Sequence, residues 1–301
     1  MLSIILPAAI YFQVALAGLP QTAQQAPQHR VERVRDNVYC IYGSGGNVGA
    51  IVGDDHLLLI DGQYERSLPS LLEAAKTIAD KPIKYLINTH HHGDHTDANR
   101  ALSVQVQGII SHANVRARLE KEQEGREPDR RGGLPDLLVG QSGSNMQSMV
   151  TLVSGKQEIH LAHFGAAHTD GDIAVGIPSA RVIHLGDMLF LERLPYIDTG
   201  SGGSFDGLVH VINHILSWLP EDSLVIPGHG PVCDKKELAR HYSFLLAVQS
   251  HVRKNLDKSP KELADSFDKE PWKDKEPSDS FVNWEALFGA ATGTGTGRVA
   301  R

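Results

Sequence analysis

Cysteine is nearly absent: the chain of 301 residues has two, Cys40 and Cys233. Two thiols can build neither a disulfide framework nor a thiolate zinc cage. Separation along the chain says nothing about distance in space, so no pairing between them is predicted. Basic residues are outnumbered, 29 Lys and Arg against 36 Asp and Glu, for a formal charge of −7 with histidine neutral. Such a surface repels polyanions on average, which argues against a nucleic-acid partner. Long apolar runs are also lacking beyond residues 2–19 (LSIILPAAIYFQVALAGL). Histidine, by contrast, is abundant: 16 residues, about as many as the 8 Phe, 7 Tyr and 3 Trp together. Imidazole is the commonest metal ligand, so the placement of these histidines becomes the question.

The uncharged N-terminal stretch ends in Ala15-Leu16-Ala17 before Gly18, the pattern of a secretory signal with an apolar core and an Ala-x-Ala cleavage site. It departs from that pattern in having no Lys or Arg ahead of the apolar run, which Pro7 interrupts. Residues 1–17 are therefore expected to be a signal peptide and the mature chain to begin near Gly18. The protein would be exported, periplasmic or secreted, with no stable membrane insertion after cleavage. In that compartment the cysteines could oxidise.

Residues 31–42 (VERVRDNVYCIY) alternate apolar and polar around Asp36-Asn37, as in a hairpin with one buried face. Strand-like runs follow at Asn47–Val52, Leu57–Ile60, Tyr85–Ile87 and Val106–Ile110, with helical spacing over Ser67–Ala79, Asp97–Leu102 and Ala113–Gln123. Glu124–Ser148 carries glycines, prolines and charges without periodicity and reads as a long surface loop. The strand pattern returns at Met149–Val153, Gln157–Leu161, Ile173–Ile177, Val182–Leu185 and Leu224–Ile226, with helices over Ser204–Leu219 and Lys235–Leu256. Two comparable halves, each with strands first and helices interleaved, imply two packed sheets with helices outside, a four-layer α/β/β/α sandwich. The main domain is expected over 18–258, and 259–301, charged and Pro-punctuated, is expected to be a C-terminal extension with mobile last residues.

After the run Tyr85–Ile87 the chain reads Asn88-Thr89-His90-His91-His92-Gly93-Asp94-His95. His90 and His92, two apart on extended backbone, can chelate one ion. Gly93 lets the chain turn and offer Asp94 and His95 to a second. Three further positions share one design, an apolar run ending at a polar residue flanked by glycine: His168, Asp187 after Val182–Gly186, and His229 after Leu224–Gly228. Together they supply enough ligands for two zinc ions with room for solvent.

This ordered set, His90-x-His92-x-Asp94-His95, then His168, Asp187 and His229, resembles the metallo-β-lactamase superfamily and its glyoxalase II-like hydrolases, over residues 31 to about 255. The resemblance implies that His90, His92 and His168 hold one metal, that Asp94, His95 and His229 hold another, and that Asp187 bridges the two. Zinc is the expected metal, with iron or manganese as alternatives. Many secreted β-lactamases of the superfamily have cysteine at the position of Asp187, and another subclass has serine. An aspartate there is the arrangement of glyoxalase II-like, lactonase and general hydrolase members. The oxygen-reducing di-iron branch typically has glutamate at the position of His92, so that reading is disfavoured.

The chemistry so implied is hydrolysis of a small-molecule carbonyl substrate, a β-lactam, lactone, ester or thioester, by hydroxide shared between two metals. Asp94 and Asp187 are candidates to steady that hydroxide and pass on its proton, and Tyr196, in the Gly- and Ser-rich stretch Glu192–Ser204, to donate to the oxyanion. Asp61, after Leu57–Ile60, is a candidate to orient a ligand imidazole. His91 is expected to point away from the metals, His112 to cap a helix and His184 to be structural. The alternative on the same ligands is an iron enzyme like the persulfide dioxygenases of the superfamily. The oligomeric state is left open.

Overall fold

The computed structural model describes residues 29–128, 132–143, 146–275 and 282–294. The expected signal peptide, its cleavage point and the last seven residues lie outside the described residues.

Thirteen strands form two mixed sheets among the described residues. The first runs in the order β1 (Arg30–Arg35), β2 (Val38–Tyr42), β3 (Val48–Val52), β4 (Leu57–Ile60), β5 (Ile83–Ile87), β6 (Gly108–His112), β7 (Leu137–Val139). The second runs in the order β13 (Cys233–Asp234), β12 (Leu224–His229), β11 (Val182–Phe190), β10 (Ala174–Ile177), β9 (Gln157–His163), β8 (Ser148–Ser154). Outside the first sheet lie α1 (Leu68–Ile78), the single turns α2 (Gly93–Thr96) and α3 (Asn99–Leu102), and α4 (Ala113–Glu122). Outside the second lie α5 (Phe205–Trp218), α6 (Lys235–Lys254), α7 (Pro260–Ser266) and α8 (Trp284–Thr292). This is the four-layer sandwich expected from the order of elements.

The strand β4, with no polar residue in Leu57-Leu58-Leu59-Ile60, shows why two sheets stack. Leu57 and Leu59 face α1 and pack with Leu68, Leu71 and Ala75. Leu58 and Ile60 face the other way, into the space between the sheets, with Ile87, Ile110, Leu161, Val175 and Ile226. A strand buried on both faces reads as a continuous apolar run, and each such leucine contributes roughly 1.5–3 kcal/mol.

Three expectations change. The stretch read as a loop over Glu124–Ser148 contains β7, which pairs in parallel with β6 through Ile110–Leu137 and His112–Val139. Three residues are too few for periodicity to show. The strand at Val182 does not end at Asp187 but continues to Phe190. Residues beyond 258 also pack on the body: Leu263, Trp284, Leu287 and Phe288 join the apolar cluster of α5 and α6. Their charged neighbours mask four anchors spaced for helices, and a capping box of Ser259 and Glu262 starts α7. Cys40 and Cys233 are both free thiols. Among the described residues no helix is long and apolar enough to cross a membrane.

Candidate metal centre

The C-terminal ends of the central strands bring the ligands to one rim. The turn after β5 carries His90 and His92, and α2 presents Asp94 and His95 one helical turn further on. The loop after β9 carries His168, and His229 is the last residue of β12. Asp187 sits inside β11, where pairing with β12 slips on either side of Gly186. Gly186 has φ +52°, and this bulge re-aims the aspartate toward the rim. A Cβ on Gly228 would overlap the Asp187 carboxylate, so a glycine there is a steric condition for the site.

The two oxygens of Asp187 address different histidines. Oδ2 lies 3.7 Å from His90 Nε2 and 3.5 Å from His168 Nε2, whereas Oδ1 lies 3.1 Å from His95 Nε2 and 3.5 Å from His229 Nε2. His92 Nδ1 completes the first group at 3.0 Å from His168 Nε2. Asp94 Oδ2 completes the second, 3.2 Å from His229 Nε2 and 3.5 Å from His95 Nε2. Two ligand atoms of one tetrahedral zinc stand about 3.3 Å apart, so these spacings suit shared ions. His90 Nε2, His95 Nε2 and Asp187 Oδ1 are buried and make no hydrogen bond, although buried polar atoms are ordinarily paired. The donor set, nitrogen and carboxylate oxygen converging on two points, fits a dinuclear zinc centre.

The electrostatics agree. Burial pushes His90 well below the usual imidazole range and His168 down to about 4, so both are neutral, as ligands must be. Burial alone would raise the Asp187 carboxyl, but His95, His229 and His90 outweigh it and hold the group well below the usual carboxylate range. His229 shows the converse: burial lowers it, yet Asp187 and Asp94 lift it to about 9. Without metal, protons on His95 and His229 neutralise the two aspartates; a bound cation would take their place.

A further set of groups orients the ligands. Thr89 N and Thr89 Oγ1 each donate to the buried Asp61 carboxylate at 2.8 Å, and His95 Nδ1 binds the same carboxylate at 2.8 Å. The expected orienting role of Asp61 is thus toward His95. His168 Nδ1 donates to the Tyr196 carbonyl at 2.7 Å, and the Tyr196 ring stacks 5.8 Å from that of His92. His184 bridges Asn47 O and Gly186 N, and His112 Nδ1 accepts from Asn114 N at the start of α4, both as expected. His91 turns to Ser201 Oγ at 3.3 Å. With His92 and Asp198 it also forms a third cluster of ligand atoms, all within 4.8 Å of one another.

Asp198 was not picked out from sequence. Its Oδ2 lies 2.9 Å from His92 Nε2, which leaves His92 Nδ1 to the first group. Lying six residues before the Ser204 cap in an irregular stretch, it carries no spacing signal. Replacing Asp198 with alanine is expected to lower affinity for the first metal by roughly 10–100-fold, the usual effect of losing a carboxylate behind a ligand histidine. Titration of metal-free protein with zinc checks this, and wild-type affinity would refute it.

The sequence profile described as metallo-beta-lactamase superfamily matches residues 41–230. A probable hydroxyacylglutathione hydrolase of Schizosaccharomyces pombe is 25% identical over 203 residues, 62% of this chain and 65% of that protein. A metallo-beta-lactamase type 2 of a Bacillus species is 25% identical over 181 residues, 60% of this chain and 64% of that protein. The alignments thus span just under two thirds of these relatives. The metallo-beta-lactamase from Pontibacter korlensis superposes with a TM-score of 0.60 at 18% identity, covering 73% of this chain and 99% of that one. At that identity the superposition speaks for the fold alone. With the profile covering well over half of its residues, the chain belongs to the metallo-β-lactamase superfamily.

Proposed function

We propose that the chain is an exported dinuclear zinc hydrolase that opens a carbonyl bond in a small ester, lactone, thioester or β-lactam. The observation that carries this reading is the Asp187 carboxylate, one oxygen turned to His90 and His168 and the other to His95 and His229. A pair of zinc ions bound there supplies Lewis acidity and water ionised near neutral pH. The protein's own residues do the rest. His90, His92 and His168 would hold the first ion and Asp94, His95 and His229 the second, with Asp187 common to both. The Asp94 side chain, 22% exposed at the rim, is the candidate to hold the proton of the nucleophilic water and return it to the leaving group. Tyr196 is the candidate donor to the oxyanion. Two relatives named for hydrolysis of hydroxyacylglutathione and of β-lactams support carbonyl substrates. Export rests on residues 1–17 of the sequence.

The test is metal analysis of protein purified without added metal, then assay against a β-lactam, a lactone and an acyl thioester. Two zinc ions per chain and hydrolysis of at least one substrate are expected, with His90→Ala and Asp94→Ala losing metal and activity together. A fully active, metal-free double variant overturns the reading. So does a single iron with sulfur-dependent oxygen consumption.

A further inference from the structure

We propose that two copies of this chain associate through β8, pairing antiparallel about a twofold axis at Thr151 to join their second sheets into one. The strand β8 is the edge of the second sheet. Its sequence, Ser148-Met149-Val150-Thr151-Leu152-Val153-Ser154, has no charge, proline or glycine. Natural edges are ordinarily blunted by lysine, proline or a bulge, because free N–H and C=O groups invite another strand. This edge has none of these, and its side chains are exposed on both faces of the strand: Met149 is 66%, Val150 42% and Val153 66% exposed.

The patch is wider than the strand. β7, the edge of the first sheet, packs beside β8 and exposes Leu137 and Leu138. Of the ten large apolar residues exposed among the described ones, Leu137, Leu138, Met146, Met149, Val150 and Val153 make six. Beyond Met149 the surface continues into a cavity of about 660 Å³ lined by His160, Phe164 and Trp218. Contiguous exposed apolar surface of this kind marks an interaction site.

Charge and symmetry select a second copy as the occupant. A chain of net charge −7 repels its own kind, and this uncharged strand is where two copies can approach without opposing like charges. The twofold register sets Ser148 against Ser154, Met149 against Val153 and Val150 against Leu152, so each apolar side chain meets another. An isologous contact of this type closes on itself. The opposite edge of the sheet, β13, is two residues long and offers no second docking strand for a fibre.

Sedimentation of the purified chain from about 5 to 200 µM should show a species of twice the chain mass. Val150→Lys with Val153→Lys should shift it to monomer by at least tenfold in dissociation constant, with zinc content and circular dichroism unchanged. In a Cys233→Ser background, Thr151→Cys should cross-link to itself on mild oxidation. A wild-type monomer throughout the range, open-ended aggregates, a dimer untouched by the lysines, or failure of the Thr151→Cys cross-link would each overturn the proposal.

Discussion

Replacing Asp187 with alanine is expected to weaken both metal groups at once, each by about a hundredfold, and reduce hydrolysis by about three orders of magnitude or more. A structural zinc site with four ligands binds with roughly 10–16 kcal/mol, about 3 kcal/mol or a hundredfold for each ligand. Asp187 faces both groups, so its loss is counted twice, where loss of any one histidine is counted once. The activity figure follows from the several kcal/mol of transition-state stabilisation that metal ions supply. Calorimetric titration with zinc reads the effect directly, with His168→Ala as the comparison that disturbs one group only. If the Asp187→Ala protein takes up two ions with wild-type affinity, the bridging role is wrong.

The second large effect is expected at Asp61. Its carboxylate accepts from Thr89 N and Thr89 Oγ1 and binds His95 Nδ1, and the residue is fully buried. Alanine would leave two buried groups, Thr89 N and His95 Nδ1, without a partner, each at roughly 1–3 kcal/mol, for a total of about 2–6 kcal/mol, while Thr89 Oγ1 keeps its contact with His90 Nδ1. The backbone adds to this: Asp61 has φ +67°, a conformation that aspartate tolerates better than alanine. Urea unfolding of metal-free protein measures the loss, and a roughly 10–100-fold fall in zinc affinity should accompany it because His95 would lose its orientation. Asp61→Asn separates the two contributions. It keeps the shape and part of the hydrogen bonding, so it should retain most of the stability while weakening zinc binding. Unfolding of Asp61→Ala within about 0.5 kcal/mol of wild type would show that the carboxylate is not needed for the fold.

Much of this was legible in the residues because it is local. The alternation in 31–42, the apolar runs before His90 and His229, and the helical spacing after Ser67 and Ser204 each describe one element and its buried face. The ligand set was legible for a related reason. Most of the candidate ligands lie close to the end of an apolar run, and His92, Asp94, Asp187 and His229 adjoin a glycine, so their chemistry and their place in the fold appear in the same few letters. Misreadings fall where the deciding partner is distant. β7 is a strand because β6 lies beside it; by itself Leu137-Leu138-Val139 shows no period. The helices α7 and α8 look like a charged tail until α5 and α6 are there to receive Leu263, Trp284, Leu287 and Phe288. Asp198 is one aspartate in a loop until His92, 106 residues earlier, turns its Nε2 toward it.

The sequence by itself determined the class of fold, two sheets between layers of helix, and pointed to seven candidate metal ligands, because periodicity and residue chemistry are carried along the chain. Only the tertiary structure supplies the geometric reason for the division into two groups that the family resemblance implied. That division depends on the direction of two oxygens on Asp187, set by a bulge at Gly186 and by a carboxylate–glycine contact with the neighbouring strand. It also decided which groups hold the imidazoles in place, and that an uncharged strand lies at the edge of a sheet, paired with β9 on one side and with no strand on its outer side among the described residues. These are distances between residues remote in sequence, and they exist only once the two sheets have packed.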